Sequence, residues 1–376
     1  MMSSARATAP PCFLFAGGGT GGHLYPGIAI AEEIRKKHPA VEIVFVGNAK
    51  NIEGRIIPGH GFRFFPIWVG GFKRSLSLST LVSAVKVIVA LVQSFFVIRG
   101  VKPRVVVGTG GYVCGPPVFV ASLLGIPTLI QEQNSFPGVT TRLLARRVNE
   151  VHVSFERTLK YLRRTKRVFV TGNPTRESVG SVDRRAGAER LQVDPGKFTV
   201  LVVGGSKGAR SVNNAILGVA PELAEMEVQV VWSCGTDDYD RILAGLRRSG
   251  VGVERWVRAL RYIEDIECAY AAADLVVCRA GATTLAEVTR AGLPSVLVPY
   301  PYAAADHQTE NAKAMEEAGA SVVVRDADLA TQILPILRDL IRDPARMSSM
   351  GERARSLAAP HATEILAEAV IRLAGE

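Results

Sequence analysis

Two segments of this chain combine an apolar run, a glycine-rich turn and a helical pattern in the same order. The first is CFLFAGGGTGGH (12–23) and the second is TVLVVGGSKGAR (199–210). A buried strand that passes through glycines directly into a helix is typical of the start of a parallel, doubly wound sheet. Because each such sheet needs its own core, the repeat predicts two domains, which suits a chain of 376 residues.

Other apolar runs of strand length alternate with helical patterns in both halves. The predicted strands lie at 41–48, 104–111, 126–133, 227–235, 273–281 and 294–300. A stretch rich in Gly, Pro and Ser (171–187) predicts a hinge between the halves. We therefore predict an α/β fold with two doubly wound, Rossmann-like domains that face a cleft. The expected bounds are 1–174 and 175–359, with a terminal helix over about 360–376 that packs back on the first domain.

The charge of the chain is unevenly distributed. Residues 1–175 hold 22 basic and 7 acidic side chains, whereas residues 176–376 hold 23 and 28. A basic half suits nucleic acid, an anionic membrane or a phosphorylated substrate. Aromatic residues make up only 7% of the chain and no basic segment is rich in them, which argues against a nucleic-acid-binding module.

Cysteine spacing and the N-terminal sequence indicate the compartment. The five cysteines are far apart and form no C-x-x-C pair, which argues against a disulfide framework or a zinc site. No apolar run typical of a signal peptide precedes the first glycine loop, so we expect a cytoplasmic protein.

The apolar segment 76–98 has the length of a membrane span, which needs about 20 residues. Small and polar residues recur along it at helical spacing, and Lys86 lies near its middle, so an amphipathic helix is favoured over a spanning one. The basic residues that flank the segment suit contact with anionic lipid; they are Lys73, Arg74, Arg99 and Lys102. A core helix with solvated ends is the alternative.

The first glycine loop contains the G-x-G-x-x-G spacing of a dinucleotide site at Gly17, Gly19 and Gly22. Such a site needs an acidic residue after the next strand to hold a ribose, but that strand ends in Gly47 and Asn48. The loop also carries His23, whose imidazole has a pKa suited to a general base. Packing or capping of the following helix is the structural alternative for His23.

Three further loops carry polar groups at the ends of predicted strands. The cluster 108–116 suits an anion, because backbone N–H groups in such turns form a concave anion site. The turn 204–210 opens a helix and suits a diphosphate. In 279–287, Thr284 and Glu287 have the spacing of a capping box, but Glu287 also suits the two hydroxyls of a ribose. Asp238–Asp240 and Asp326–Asp328 resemble metal-binding pairs, yet they lie in solvated stretches, so we assign no metal site.

These motifs occur in a fixed order from about residue 12 to the terminal helix. They are GGTGGH (18–23) with Pro26-Gly27, GGY (110–112) with Gly115-Pro116, EQN (132–134), GNP (172–174) with Arg176, GGSKGA (204–209), and Gly281 to Glu287 followed by His307-Gln308. The ordered set closely resembles the MurG family of bacterial glycosyltransferases, which convert lipid I to lipid II in peptidoglycan synthesis.

The resemblance implies a metal-independent, inverting transferase of the GT-B fold that uses no cofactor. It would transfer N-acetylglucosamine from UDP-GlcNAc to the C4 hydroxyl of MurNAc in lipid I, undecaprenyl-pyrophosphoryl-MurNAc-pentapeptide. The N-terminal domain would bind the acceptor and an anionic membrane surface, and the C-terminal domain would bind UDP-GlcNAc. The protein would be peripheral, on the cytoplasmic face of the plasma membrane. A related transferase that acts on another lipid, such as a diacylglycerol galactosyltransferase, is the alternative.

The resemblance also implies individual contacts. Donor contacts would come from Thr20, Gly21, Gly22, Asn134, Arg176 and Ser206, with Ile263 on the uracil and Gln308 on the sugar. The diphosphate and ribose would lie against Ala282, Thr283, Thr284, Leu285, Ala286 and Glu287, with Glu287 on the ribose hydroxyls. The lipid-linked diphosphate would contact Gly110, Gly111 and Tyr112. His307 stands where some relatives have glutamine, so its role stays open.

The acceptor hydroxyl is a weak nucleophile and needs a base to take its proton. His23 is our candidate because it stands on the first loop, and Glu132 is the second candidate. Negative charge develops on the leaving UDP, and Arg176 and the helix N-terminus at Ser206 would stabilise it.

Overall fold

The computed structural model describes residues 10–70, 78–165, 167–205, 208–250, 252–303 and 306–376. The chain divides into two units. The N-terminal unit comprises residues 1–174 and 361–376, and the C-terminal unit comprises residues 175–360. The predicted site residue Ser206 and the predicted flanking residues Lys73 and Arg74 lie outside the described residues.

The N-terminal unit contains a parallel sheet of seven strands. They are β1 (Cys12–Ala16), β2 (Glu42–Gly47), β3 (Arg63–Pro66), β4 (Val105–Gly108), β5 (Thr128–Glu132), β6 (Glu150–Val153) and β7 (Val168–Val170). Their order is β3-β2-β1-β4-β5-β6-β7, with Leu14 of β1 opposite Val44 on one side and Val106 on the other. The chain therefore changes direction across the sheet between β1 and β4.

In the described parts of this unit, five α-helices and a 3₁₀-helix connect these strands. They are α1 (Gly21–Lys37), α2 (Glu53–Gly59), α3 (Leu78–Val101), α4 (Gly115–Leu123), α5 (Val139–Leu144) and the 3₁₀-helix Glu156–Tyr161. Successive side chains of a strand point to opposite faces. Phe13 and Phe15 accordingly join the core on the α1 side, whereas Leu14 and Ala16 join the core beneath α3 and α4. Both faces are covered, which explains why β1 reads as a continuous apolar run.

The C-terminal unit repeats this plan with six parallel strands. They are β8 (Thr199–Val203), β9 (Gln229–Ser233), β10 (Val257–Leu260), β11 (Leu275–Cys278), β12 (Ser295–Leu297) and β13 (Ser321–Val323). Their order is β10-β9-β8-β11-β12-β13, so the change of direction falls between β8 and β11. Open parallel sheets bind ligands at such a switch point, beyond the carboxyl ends of the strands.

The helices of the C-terminal unit and the terminal helix complete the chain. They are α6 (Arg184–Leu191), α7 (Arg210–Glu225), α8 (Tyr239–Arg248), α9 (Val253–Trp256), α10 (Ile266–Ala272), α11 (Ala282–Ala291), α12 (His307–Glu317), α13 (Leu329–Ile341), α14 (Pro344–Ser356) and α15 (Ala362–Ala374), with a 3₁₀-helix at Asp326–Asp328.

The terminal helix α15 packs on the sheet of the N-terminal unit. Its buried Leu366 and Val370 share a core with Phe13 and other residues of that unit. Both guanidinium Nη atoms of Arg372 donate to the buried Glu150 carboxylate on β6, each at 3.0 Å. Burial opposes ionisation of Glu150, but the hydrogen bonds from Arg372 and His152 outweigh it and hold the pKa of this carboxyl below its usual value.

The prediction of two doubly wound α/β units is confirmed by these sheets, and strands occupy all the runs predicted from the sequence. Five strands were missed, namely β3, β6, β7, β10 and β13. They are short, and in β6 (EVHV) two valines alternate with Glu150 and His152, which are buried as a hydrogen-bonded pair. The predicted hinge at 171–187 extends too far. Its last residues belong to α6, which starts directly after the N-cap Asp183.

Candidate active site

Two loops meet at the switch point of the N-terminal unit, one after β1 and one after β4. In the second loop Gly110 and Gly111 have φ values of +94° and +74°, which favour glycine. A Cβ on Gly110 would lie 2.6 Å from Cδ2 of His23, and a Cβ on Gly111 would lie 2.7 Å from the Gly18 carbonyl oxygen. Glycine at these positions therefore allows the His23 ring and the first loop to approach the backbone of the second.

His23 lies in the first turn of α1 and is half-buried. Its Nδ1 is 3.1 Å from the Thr20 hydroxyl, and its backbone carbonyl accepts a hydrogen bond from the Thr109 hydroxyl at 2.8 Å. The N-cap of α1 is Thr20, so the alternative in which His23 caps the helix is wrong. These contacts fix an imidazole at the carboxyl edge of the sheet, as a general base requires.

A buried carboxylate that the sequence analysis missed holds the first loop in place. Glu53 accepts hydrogen bonds from the backbone N–H groups of Gly19 (3.1 Å) and Asn48 (3.2 Å). It also accepts from the Asn51 side-chain amide, which donates in turn to the Tyr112 hydroxyl at 3.1 Å. No sequence motif indicates this role of Glu53. The residue lies at the start of α2, which in the sequence stands between the loop after β1 and the loop after β4.

The second candidate base, Glu132, ends β5 and is buried. One carboxylate oxygen accepts from the Asn134 backbone N–H at 3.1 Å. The other accepts from the Gly138 N–H at 3.0 Å and the Thr141 hydroxyl at 2.6 Å. Because both oxygens are engaged within its own loop, this geometry suits the positioning of Asn134 better than proton transfer.

At the switch point of the C-terminal unit, the segment 282–287 forms the first turns of α11. The N-cap is Gly281, and no side chain caps this helix, so the capping-box interpretation of Thr284 and Glu287 is wrong. Glu287 is half-buried, and one of its carboxylate oxygens (Oε2) accepts a hydrogen bond from the buried Tyr270 hydroxyl at 3.1 Å. Glu287 therefore does not cap α11, and its carboxylate can accept hydrogen bonds from a ligand.

Charged groups around Glu287 form a small cluster. Burial raises the pKa of the Glu287 carboxyl, although the charge of Arg176 and the hydrogen bond from Tyr270 act in the opposite direction. Arg176 also lies 3.9 Å (Nη1 to Oε2) from the Glu267 carboxylate. The predicted donor contacts Arg176 and Glu287 are thus close together, which their separation of more than a hundred residues does not reveal.

The other predicted donor residues of the C-terminal unit occupy the same edge of its sheet. Ala282 and Leu285 are buried, Thr283, Thr284 and Ala286 are half-buried, and Ile263 is buried just after β10. The Gln308 side-chain oxygen accepts from the Tyr300 backbone N–H at 3.0 Å. In the N-terminal unit, Gly21 is half-buried and Gly22 is exposed at the start of α1, and Asn134 is half-buried.

The loop between β8 and α7 depends on glycine for steric reasons. Gly208 has a φ of +78°, and a Cβ there would lie 2.1 Å from the Cys234 carbonyl oxygen. Glycine at this position therefore lets the loop pack against the backbone that follows β9.

The Asp-x-Asp pairs are engaged by arginine. Asp238 accepts from Arg210 and Arg241, and Asp240 accepts from Arg261 at 2.9 Å. Asp326 pairs with Arg279, and Asp328 pairs with Arg325. Each carboxylate thus has a cationic partner within the protein.

Two domain families account for most of the chain. Residues 13–153 match the glycosyltransferase family 28 N-terminal domain, and residues 199–366 match the glycosyltransferase family 28 C-terminal domain. A relative from Chlorobaculum tepidum is 46% identical, with 96% of this chain and 98% of the relative covered. One from Caldanaerobacter subterraneus is 42% identical, with 92% and 95% covered. Both are named UDP-N-acetylglucosamine–N-acetylmuramyl-(pentapeptide) pyrophosphoryl-undecaprenol N-acetylglucosamine transferase.

Solved structures agree with this assignment. MurG of Acinetobacter baumannii superposes with a TM-score of 0.78 at 27% identity, over 96% of this chain and all of that one. The calicheamicin glycosyltransferase CalG4 reaches 0.69 at 17% identity, over 97% and 98%, and shows the fold alone. The prediction of a GT-B pair of Rossmann-like domains is confirmed. The chain therefore belongs to the MurG family within glycosyltransferase family 28.

Proposed function

We propose that this enzyme transfers N-acetylglucosamine from UDP-GlcNAc to the C4 hydroxyl of MurNAc in undecaprenyl-pyrophosphoryl-MurNAc-pentapeptide, with inversion at the anomeric carbon. The product is lipid II, and the reaction belongs to peptidoglycan synthesis. The observation that carries the proposal is the identity of 42–47% over at least 92% of the chain to relatives named for this transfer. The geometry of the two switch points fits the two halves of the reaction.

The donor half of the reaction belongs to the C-terminal unit. Glu287 accepts hydrogen bonds from the ribose hydroxyls, and Ile263 contacts the uracil. Arg176 is partly exposed, and its guanidinium interacts with the carboxylates of both Glu267 and Glu287. A diphosphate bound beside it and at the N-terminus of α11 gains charge stabilisation as UDP leaves.

The acceptor half belongs to the N-terminal unit. The His23 imidazole takes the proton of the C4 hydroxyl as that oxygen attacks the anomeric carbon. The Thr20 hydroxyl, 3.1 Å from Nδ1, orients the ring, and we assign the proton transfer to Nε2. Gly110, Gly111 and Tyr112 bind the lipid-linked diphosphate. Glu132 remains the second candidate base, and a Glu132→Gln enzyme that keeps its pH–rate profile would assign it to loop positioning.

We also propose that α3 brings the protein to the cytoplasmic face of the plasma membrane as a peripheral enzyme. Among the described residues, no helix combines the length and apolar character needed to span a bilayer. The outer face of α3 exposes Ile88 (61%), Val92 (50%) and Phe96 (67%) at helical spacing. Arg99 and Lys102 follow at its end, so an apolar stripe meets a basic end, as in helices that lie in a membrane interface.

Vesicle co-sedimentation tests the membrane contact. Ile88→Ser with Phe96→Ser should reduce binding to vesicles that contain anionic phospholipid by at least tenfold, and wild-type binding should weaken on vesicles of neutral lipid. Ile365→Ser, at an exposed position of α15, serves as the control. Unchanged binding by the double variant would exclude α3 as the contact.

A transfer assay tests the reaction. The enzyme is given a soluble lipid I analogue and UDP-GlcNAc with EDTA present, and parallel samples contain UDP-galactose or diacylglycerol. We expect transfer of GlcNAc to the lipid I analogue alone, and we expect EDTA to leave the rate unchanged. Transfer of galactose to diacylglycerol would instead favour the alternative, a related transferase with another lipid acceptor.

A further inference from the structure

A buried tyrosine contacts the carboxylate assigned to the ribose. Tyr270 lies on α10 with only 2% of its surface exposed, and its hydroxyl donates to Oε2 of Glu287 on α11. A buried tyrosine hydroxyl needs a hydrogen-bond partner, and here a carboxylate supplies it. The two side chains come from different helices, so this contact fixes the position of the carboxylate relative to the sheet edge.

The two oxygens of Glu287 differ in their contacts. Oε2 is engaged by Tyr270, whereas within the described part of the chain no hydrogen bond reaches Oε1. A half-buried carboxylate with one engaged and one open oxygen suits a ligand that brings its own hydroxyl donors. The open oxygen belongs to the group that the proposed function assigns to the ribose.

We propose that Tyr270 is a positioning residue for the donor nucleotide. Its hydroxyl holds the Glu287 carboxylate in the orientation that receives the ribose hydroxyls, and it thereby sets the preference for ribonucleotide over deoxyribonucleotide. This inference rests on the proposed function, because it presupposes that the C-terminal unit binds UDP-GlcNAc.

The charged groups around Tyr270 and Glu287 make the pH dependence of donor binding a second measurement of the role of Tyr270. The groups that interact with the pair are Glu267, Arg176 and the Cys278 thiol. The hydrogen bond from Tyr270 lowers the pKa of Glu287 and opposes the effect of burial. Without the hydroxyl, protonation of Glu287 would begin at a higher pH, and the affinity for donor would fall at a higher pH as well.

The test measures binding of UDP and of 2′-deoxy-UDP to the full chain by titration calorimetry. Tyr270→Phe keeps the ring and its packing and removes only the hydroxyl. We expect the Kd for UDP to rise about tenfold and the Kd for 2′-deoxy-UDP to rise much less, so that the ribose preference shrinks. The pH below which UDP binding weakens should move upward in the variant. Tyr239→Phe on α8 is the matched control and should behave as the wild type.

The outcomes separate this inference from the proposed function. If the wild type binds UDP and prefers it over 2′-deoxy-UDP, but Tyr270→Phe keeps both the preference and the pH dependence, Tyr270 has only a packing role and the inference is wrong. If the wild type binds no UDP, the proposed function fails and the inference fails with it.

Discussion

The two switch points share one backbone plan and differ in the side chains placed on it. In both units the glycine loops follow the first and fourth strands of the sheet, and glycines with positive φ bring loops close to their neighbours. In the N-terminal unit the loops hold an imidazole and a buried carboxylate that binds the loop backbone. In the C-terminal unit a carboxylate with one open oxygen stands beside an arginine. Under the function proposed above, the same fold supports proton transfer in one unit and nucleotide binding in the other.

This difference teaches that the glycines alone do not identify a phosphate site. The Gly19 N–H group, which the loop pattern would assign to an anion, donates instead to the Glu53 carboxylate. A buried negative charge at that point disfavours a phosphate on the same N–H group. The division of roles therefore depends on what surrounds each loop.

The largest expected effect comes from removal of the proposed base. His23→Ala should lower kcat about 10³-fold with little change in the KM for UDP-GlcNAc, because general-base catalysis contributes ~10²–10⁴-fold. Steady-state kinetics with a lipid I analogue measures both constants. His38→Ala, at the other end of α1, is the control. A variant at position 23 with near-normal kcat would assign the proton transfer elsewhere.

Removal of the carboxylate that we propose for the ribose should affect binding more than chemistry. We expect Glu287→Ala to raise the KM for UDP-GlcNAc about 50-fold, because hydrogen bonds to a charged group are worth ~1.5–3 kcal/mol. The measurement is the donor dependence of the initial rate, with Glu352→Ala on α14 as control. An unchanged KM would mean that Glu287 does not contact the donor.

A structural carboxylate of the C-terminal unit should affect stability alone. Hydrogen bonds from Arg241, Asn213 and Arg210, with the charge of Arg241, lower the pKa of Asp238 to about 2, and burial opposes them. Because this pKa lies below the unfolded value, the stabilisation is present above about pH 4 and is lost as the pH falls through 2. Asp238→Asn should therefore lower the free energy of unfolding by about 2 kcal/mol at pH 7.

Urea unfolding of both proteins at pH 7 and pH 2.5 checks this expectation. The difference between variant and wild type should shrink at the lower pH. Asp240→Asn is the control, because that carboxylate is 78% exposed and its ion pair should contribute little. Equal losses at positions 238 and 240 would contradict the assignment.

The smallest effect is expected at an open glycine. Gly205 has a φ of +98°, and no described atom lies within 4 Å of a Cβ built there. Gly205→Ala should therefore cost only the backbone strain, about 1 kcal/mol of unfolding free energy in a thermal or urea melt. The same substitution at Gly110 must also displace His23, so it should lower kcat. If Gly205→Ala and Gly110→Ala had the same effects on unfolding free energy and on kcat, the proposed steric difference between the two loops would be wrong.

The sequence was sufficient for the architecture because its buried parallel strands are unbroken apolar runs. Strands with another source of stability were missed, and β6 is the clearest example, since its buried Glu150 accepts hydrogen bonds from His152 and from Arg372. Arg372 lies more than two hundred residues from Glu150, so no periodicity in the sequence predicts that the two side chains pair.

The candidate site was predictable where a motif carried it and unpredictable where the fold assembled it. His23 lies in the first turn of α1 and Glu287 lies in α11, and both belong to motifs with recognisable spacing. Glu53 and Tyr270 act through contacts between separate helices and loops, so they become visible only in three dimensions. The capping-box spacing of Thr284 and Glu287 was misleading, because the N-cap is Gly281, three residues before Thr284.

The central claim is that the C-terminal switch point holds the donor and the N-terminal one activates the acceptor. Calorimetric titration of UDP-GlcNAc, without acceptor, into the wild type, His23→Ala and Glu287→Ala tests it most directly. We predict a wild-type Kd for His23→Ala and a Kd at least tenfold higher for Glu287→Ala. Donor binding that is weakened in His23→Ala and intact in Glu287→Ala would contradict the account.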